Sequence, residues 1–148
     1  MVKIRIMTKK DIEEAKKLMK ALVNEMNEQF NEERWNESIN KRLSDEEIFG
    51  IYFNLIAEEE GKICGIAFSE VREDIPGSVV HGYISNVYVI PEKRENGIGS
   101  QLLYESIESL RRCNISKIRL NIKSDMERAV KLVKKVGFKE IYKTMEMG

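Results

Sequence analysis

At 148 residues, 42% of them apolar and 34% charged, the chain has the length of one domain and enough apolar side chains to build a core, which excludes disorder. Twenty-five Lys and Arg balance twenty-five Asp and Glu, so no overall field draws in nucleic acid or an anionic membrane, and any charged partner must be attracted locally. No apolar run approaches the ~20 residues that span a bilayer, and the N-terminus lacks the apolar stretch of a signal peptide, so a single soluble, cytoplasmic domain over 1–148 is expected.

Residues 2–7 alternate apolar and polar as a half-buried strand does, and Thr8 followed by Asp11 resembles a capping box that opens a helix. Ile12, Ala15, Leu18, Met19, Leu22, Val23 and Met26 then fall at helical spacing along one core-facing stripe. Over 29–41 the pattern is weak and polar, relieved by Phe30, Trp35 and Ile39, and Ser44 and Asp45 offer a cap for a short helix over 44–49. The apolar runs 51–58 and 62–71 meet at Glu60-Gly61 as an antiparallel hairpin.

Residues 79–90 form another β-branched and aromatic run closed by Pro91, and Ile98, Leu102, Leu103, Ile107 and Leu110 trace one face of a helix. Ile118, Leu120 and Ile122 alternate as a strand, and Met126, Ala129, Val130, Val133 and Val136 repeat as a helix that Gly137 can end in the left-handed conformation. A terminal strand over 138–147 completes a mixed α/β chain. Cys64 and Cys113 fit neither a metal-ligand spacing nor a disulfide framework, so both are expected reduced and buried as small hydrophobes, with no metal.

The chemistry concentrates between the strand at 79–90 and the helix that follows. In Arg94-Glu95-Asn96-Gly97-Ile98-Gly99-Ser100 several amides of a helix start have no partner within the helix, which with the helix dipole favours an anion such as a diphosphate. Gly97 and Gly99 remove side chains that would hold a phosphate off the backbone, although two glycines by themselves signify no more than a tight turn. The longer glycine pattern of a dinucleotide fold and the Gly-Lys-Ser/Thr of a Walker loop are both missing.

Taken whole, residues 87–103 (Val-Tyr-Val-Ile-Pro-Glu-Lys-Arg-Glu-Asn-Gly-Ile-Gly-Ser-Gln-Leu-Leu) resemble the acetyl-CoA-binding motif of the GNAT superfamily of N-acetyltransferases, whose kernel is Q/R-x-x-G-x-G/A. Gly137-Phe138 resembles the family's second landmark, and the element order agrees along nearly the whole chain. The resemblance implies an α/β (α+β) fold: a mixed, mostly antiparallel twisted sheet flanked by about four helices, with a splay between the strand at 80–90 and the strand at 116–123. It implies acetyl-CoA as co-substrate, with the main chain of Val87, Tyr88 and Val89 along the pantetheine arm and Arg94, Glu95, Asn96, Gly97, Ile98, Gly99 and Ser100 around the diphosphate. Glu95 stands where the family commonly has glycine, so its carboxylate should point to solvent.

Direct attack by an amine needs a proton acceptor, a polarised thioester carbonyl and a stabilised thiolate. The resemblance gives polarisation to the backbone N–H of Val89 or its neighbour. Where relatives often place a glutamate, this chain has Ser85 and Asn86, which can order a water, leaving His81, Glu70 or a water relay as bases. Met126 and Val133 replace the family's asparagine and acid tyrosine, with Tyr88, Tyr104 and Tyr142 as substitutes. His81 reads as an ordinary surface or strand-end residue ahead of a catalytic one. Glu25, Glu28, Glu32, Glu33 and Glu37 could favour a cationic amine and Trp35 and Phe30 wall it, or they are a solvated face and core. The short stretch after Phe138 leaves the acceptor site either open or completed by a second copy in a homodimer. A small amine is placed slightly ahead of a peptide or protein lysine, with a non-catalytic acyl-CoA-binding domain as the alternative.

Overall fold

The computed structural model describes residues 1–45, 50–73 and 75–148. Strand β1 (Lys3–Ile6) leads through a 3-10 turn at Lys9–Asp11 into helix α1 (Ile12–Glu25). The entry is held as the capping spacing predicted: the Thr8 N–H donates to Asp11 Oδ2 at 2.7 Å. The same carboxylate takes both arms of the Arg5 guanidinium at 2.9 Å each, and Arg5 reaches Glu58 at 2.7 Å. This cluster joins the first strand, the first helix and the neighbouring strand β2. The Arg5 guanidinium, and then the Thr8 donors, overcome the cost of burial and hold the Asp11 carboxyl down at about 2.

Helix α2 (Glu32–Arg42) occupies the stretch that reads as weak in the sequence. Asn31 caps it, its side chain accepting from the Arg34 N–H at 3.0 Å. Only Trp35 and Ile39, one turn apart, are buried in these eleven residues, which is too few to print a periodicity. Two such side chains, at ~2–3 kcal/mol each, suffice to dock the helix. Trp35 stacks on Phe68 with ring centres 6.3 Å apart, so it is core and not an acceptor wall. The helix expected over 44–49 lies largely outside the described residues.

Strands β2 (Tyr52–Glu59) and β3 (Lys62–Arg72) form the expected hairpin, with Glu60 and Gly61 both at positive φ (52° and 77°), the backbone of a two-residue primed turn. A register shift at Ala57/Glu58 accommodates Cys64. Strand β4 (His81–Val89) follows, then helix α3 (Ile98–Arg111), the three-residue β5 (Ile118–Leu120) and helix α4 (Glu127–Val136). The sheet order is β1-β2-β3-β4-β5, antiparallel throughout except for the parallel β4/β5 pair, in agreement with the implied fold of four helices on a mostly antiparallel sheet.

The two faces of the sheet are covered by different helices. Ala15, Leu18, Met19 and Leu22 of α1 and Trp35 and Ile39 of α2 pack on Ile56, Ile66, Phe68 and Tyr88. On the other face Ile98 and Leu102 of α3 meet Leu55, Ala57 and Ala67, while Leu103, Ile107 and Leu110 meet Ile84, with Leu132, Val133 and Val136 of α4 alongside. A Cβ on Gly82 would stand 2.6 Å from a Leu110 methyl, so α3 lies directly on the start of β4.

Three expectations are corrected. Residues 139–148 carry no strand and are exposed; Ile141, Met145 and Met147 share one strand face, but no neighbouring strand pairs with the segment, and spacing alone does not make a strand. Cys113 is exposed beyond the end of α3, whereas Cys64 is buried and its thiol pushed up by burial. His81 is the first residue of β4, a strand end as expected, but at 2% exposed it is not on the surface.

Because the folded Asp11 carboxyl is held low, its contribution is complete above the unfolded value near pH ~4 and is lost as pH falls towards 2. Asp11→Asn should therefore cost about 2 kcal/mol at pH 7, with the gap between variant and parent narrowing below pH ~4 in denaturant titrations; a gap independent of pH would contradict the ion-pair assignment.

Candidate functional site

Strands β4 and β5 are hydrogen-bonded only at Gly82–Ile118, Tyr83–Arg119 and Ile84–Leu120, after which the ladder stops while β4 runs on to Val89. At the parting point β4 carries a bulge: Ser85 pairs with Phe68 and Tyr88 with Ile66, so Asn86 and Val87 together oppose Ala67. Asn86 adopts φ 57°, a left-handed value that asparagine tolerates better than most residues. A bulge of this kind re-aims the strand. The Ile90 N–H bonds to Cys64 O in β3 at 2.9 Å, and since N–H groups alternate along a strand, the Val89 N–H and C=O point the other way, into the splay.

Past Val89 the 3-10 turn at Pro91–Lys93 leads to the loop before α3. Glu95 (φ 67°) and Gly97 (φ 81°) are both left-handed there, and the Asn96 amide donates to Lys93 O and Arg94 O at 3.2 Å, holding the turn. The helix starts with no side-chain cap and no acidic residue in its first turn, and its first internal bond is Gln101 N–H to Gly97 O at 3.0 Å. The amides of Ile98, Gly99 and Ser100 therefore have no partner within the helix. Ile98 itself is buried, so the start of the helix is anchored while its amides remain open.

The two glycines do different work. Nothing lies within 4 Å of a Cβ built on Gly97, whose positive φ is the constraint, whereas a Cβ on Gly99 would come within 3.2 Å of Leu132 on α4. Gly99 permits close packing of the last helix against the first turn of α3.

Arg94 points inward. Its Nε donates to Val89 O at 2.8 Å, its Nη2 meets Glu25 Oε2 at 2.7 Å, and its guanidinium lies 5.2 Å from the Tyr88 ring centre. Burial opposes ionisation of Glu25, but Arg94 and the Tyr88 hydroxyl outweigh it and lower its carboxyl below the usual range. Burial, and then the hydrogen bond to Glu25, push Tyr88 up to about 12. Glu95 is exposed, as expected, and pairs at 3.4 Å with Arg128, an exposed cation of α4 that now stands beside the loop.

The structure thus brings Val87, Tyr88, Val89 and the 94–100 loop to one end of the sheet, with Ser85 and Asn86 at the parting point. Ser85 Oγ donates to Phe68 O at 3.4 Å, and Asn86 is exposed. The other acid–base candidates lie elsewhere: Glu70 is engaged by Arg42 at 3.4 Å and Arg72 at 2.9 Å, and His81 is four residues up the strand from Ser85, ~13 Å away. Tyr104 is exposed on α3, Tyr142 lies over Arg119, and Val133 packs between α3 and α4. A concavity of about 460 Å³ lined by His81, Lys117, Arg119 and Tyr142 opens at the starts of β4 and β5, where the strands are bonded and not parted. The sequence reading missed Lys123, whose Nζ reaches Met26 O at 2.6 Å, because nothing local links residues 97 positions apart. Among the described residues no cluster of His, Cys, Asp or Glu could hold a metal, and no helix is long and apolar enough to cross a membrane.

Comparison with known proteins agrees with this geometry. An N-alpha-acetyltransferase of Sulfurisphaera tokodaii is 29% identical over 94 residues, 58% of this chain and 56% of that protein. A mycothiol acetyltransferase of Acidimicrobium ferrooxidans is 30% identical over 87 residues, 57% of this chain and 27% of that one. The chain thus spans about half or less of these curated relatives. A predicted acetyltransferase of Clostridium acetobutylicum, solved with acetyl-CoA, superposes with a TM-score of 0.81 at 26% identity over 100% of this chain and 96% of that one. The aminoglycoside acetyltransferase AAC(6')-Iy, in complex with a bisubstrate analogue, reaches 0.84 at 18% identity over 100% and 97%, a likeness of fold. The model of the acetyltransferase (GNAT) family matches residues 15–138, and the chain, with its parted strands and uncapped helix start, belongs to that family.

Proposed function

We propose that this protein transfers an acetyl group from acetyl-CoA to a primary amine by direct attack in a ternary complex. The observation that carries the reading is the parting of β4 from β5 next to an uncapped helix start: it leaves strand-edge groups at Val87 and Val89 and helix amides at Ile98, Gly99 and Ser100 within one groove. The main chain of Val87 and Val89 pairs with the pantetheine arm, while Tyr88 between them keeps β4 on β3. The amides of residues 95–100 hold the diphosphate, helped by the helix dipole.

Arg94 takes a different part from the one its place in the motif suggests. Bonded to Val89 O and Glu25, it sets the mouth of the splay, and the exposed Arg128 supplies positive charge near the loop. The Val89 N–H, or that of its neighbour, polarises the thioester carbonyl as negative charge develops on oxygen. Ser85 and Asn86, at the bulge, order the water that removes the amine proton. Tyr88, with its hydroxyl on Glu25 and its proton held to about 12, joins α1 to β4 and is no proton donor at neutral pH.

The acceptor enters from the α1/α2 side. Residues 139–148 build no long cover over the cleft, and an open cleft admits a peptide or protein lysine as well as a small amine, which is placed slightly ahead; a site completed by a second copy of the chain is the remaining alternative. Of the acidic residues on that side, Glu25 and Glu32 are paired with Arg94 and Lys16, which reduces the acidic bias read from the sequence.

Incubation with acetyl-CoA and an amine panel should release free thiol in step with acetylated product; tight binding shown by calorimetry without turnover on any amine would overturn catalysis and favour an acyl-CoA sensor. Gly97→Glu should weaken acetyl-CoA binding by more than about a hundredfold through charge repulsion at the diphosphate, an effect of at least ~2.7 kcal/mol. Gly97→Ala, which meets only the positive φ, is the control for strain and should stay within about tenfold of the parent.

A further inference from the structure

The charges gathered at the C-terminal end of α1 do not balance. Two cations converge there from opposite banks of the splay: Arg94 from the loop after β4, and Lys123 from the segment after β5. Arg94 is matched by Glu25 at 2.7 Å. Lys123 is half-buried, its Nζ bonded at 2.6 Å to the main-chain carbonyl of Met26, and among the described residues it has no carboxylate partner. The helix end welcomes a cation, since the last turn of α1 carries no basic residue, but a carbonyl dipole does not neutralise a full charge. Withdrawing part of an ammonium from water costs solvation that a neighbouring anion restores.

The position of this uncompensated charge is informative. The end of α1 rests on β4, where Glu25 meets the Tyr88 hydroxyl, while Lys123 lies three residues beyond the end of β5. Its side chain reaches from the β5 bank of the splay to the end of α1. Glu25 of α1, Tyr88 of β4 and Arg94 of the loop interact with one another, and Lys123 bonds only to the Met26 carbonyl among the described residues.

Resting on the acetyl-CoA reading above, we infer that Lys123 stabilises the thiolate that leaves in acetyl transfer, the task for which the chain has no tyrosine at Val133. The amine nitrogen forms its bond to the thioester carbon, the carbon–sulfur bond breaks with its electron pair going to sulfur, and the amine proton leaves to water. The sulfur then carries negative charge that the Lys123 ammonium meets as a hydrogen-bond donor, and the thiolate later takes a proton from water.

The test needs no knowledge of the acceptor. The thiol of enzyme-bound CoA is titrated by the ultraviolet absorbance of its thiolate in the parent, Lys123→Met and Lys123→Arg, with binding followed by calorimetry and folding by thermal melts. In the parent the bound thiol should ionise at least one pH unit below free CoA. Lys123→Met, folded and still binding CoA, should return it to the free value, and Lys123→Arg should retain most of the shift. Identical titration in the parent and Lys123→Met overturns the inference while leaving acetyl-CoA binding intact. Failure of the parent to bind CoA overturns the reading on which it rests, and this inference with it.

Discussion

Parallel strands hold together only while each offers the next a complete row of donors and acceptors, and β5 offers such a row for three residues. Beyond Ile84–Leu120, β4 must either find another partner or present its edge. The bulge at Asn86 turns that edge outward while Tyr88 and Ile90 remain bonded to β3. An unpaired strand edge inside a fold is costly unless something hydrogen-bonds to it. In the proposed reading an extended amide-bearing arm does so, and the defect in the sheet is the binding site.

The rest of the molecule keeps that gap from collapsing. On one face α3 is pressed against β4 so closely that Gly82 leaves no room for a Cβ, and its buried Ile98 anchors the first turn with its amides open. On the other face α1 lies across β4 and is bound through Glu25 to Tyr88 and Arg94. The Arg5–Asp11–Glu58 cluster sets where α1 begins, so ion pairs fix the helix at both ends. The far end, where Glu25 and Lys123 act, is where the electrostatics bear on chemistry.

Much of the fold is legible in order and type. The hairpin at Glu60-Gly61, the capping pair Thr8 and Asp11, and the apolar stripes of α1 and α3 each rest on contacts within a few residues, so local spacing reports them. Helix α2 is illegible because two anchors in eleven residues leave no periodicity, and the burial of Trp35 against Phe68 is decided across the sheet. The tail after Phe138 misleads for the opposite reason: its composition suits a strand, but no neighbour pairs with it.

The local sequence determined that an uncapped helix start follows a strand, because glycine at 97 and the missing cap are properties of adjacent residues. Only the tertiary structure decided that Gly99 serves the packing of Leu132, that Arg94 turns inward to Glu25, and that Lys123 reaches the end of α1. These depend on residues 33 to 97 positions apart in the chain, brought together by the burial of two sheet faces, and no spacing along the chain encodes a meeting of that kind.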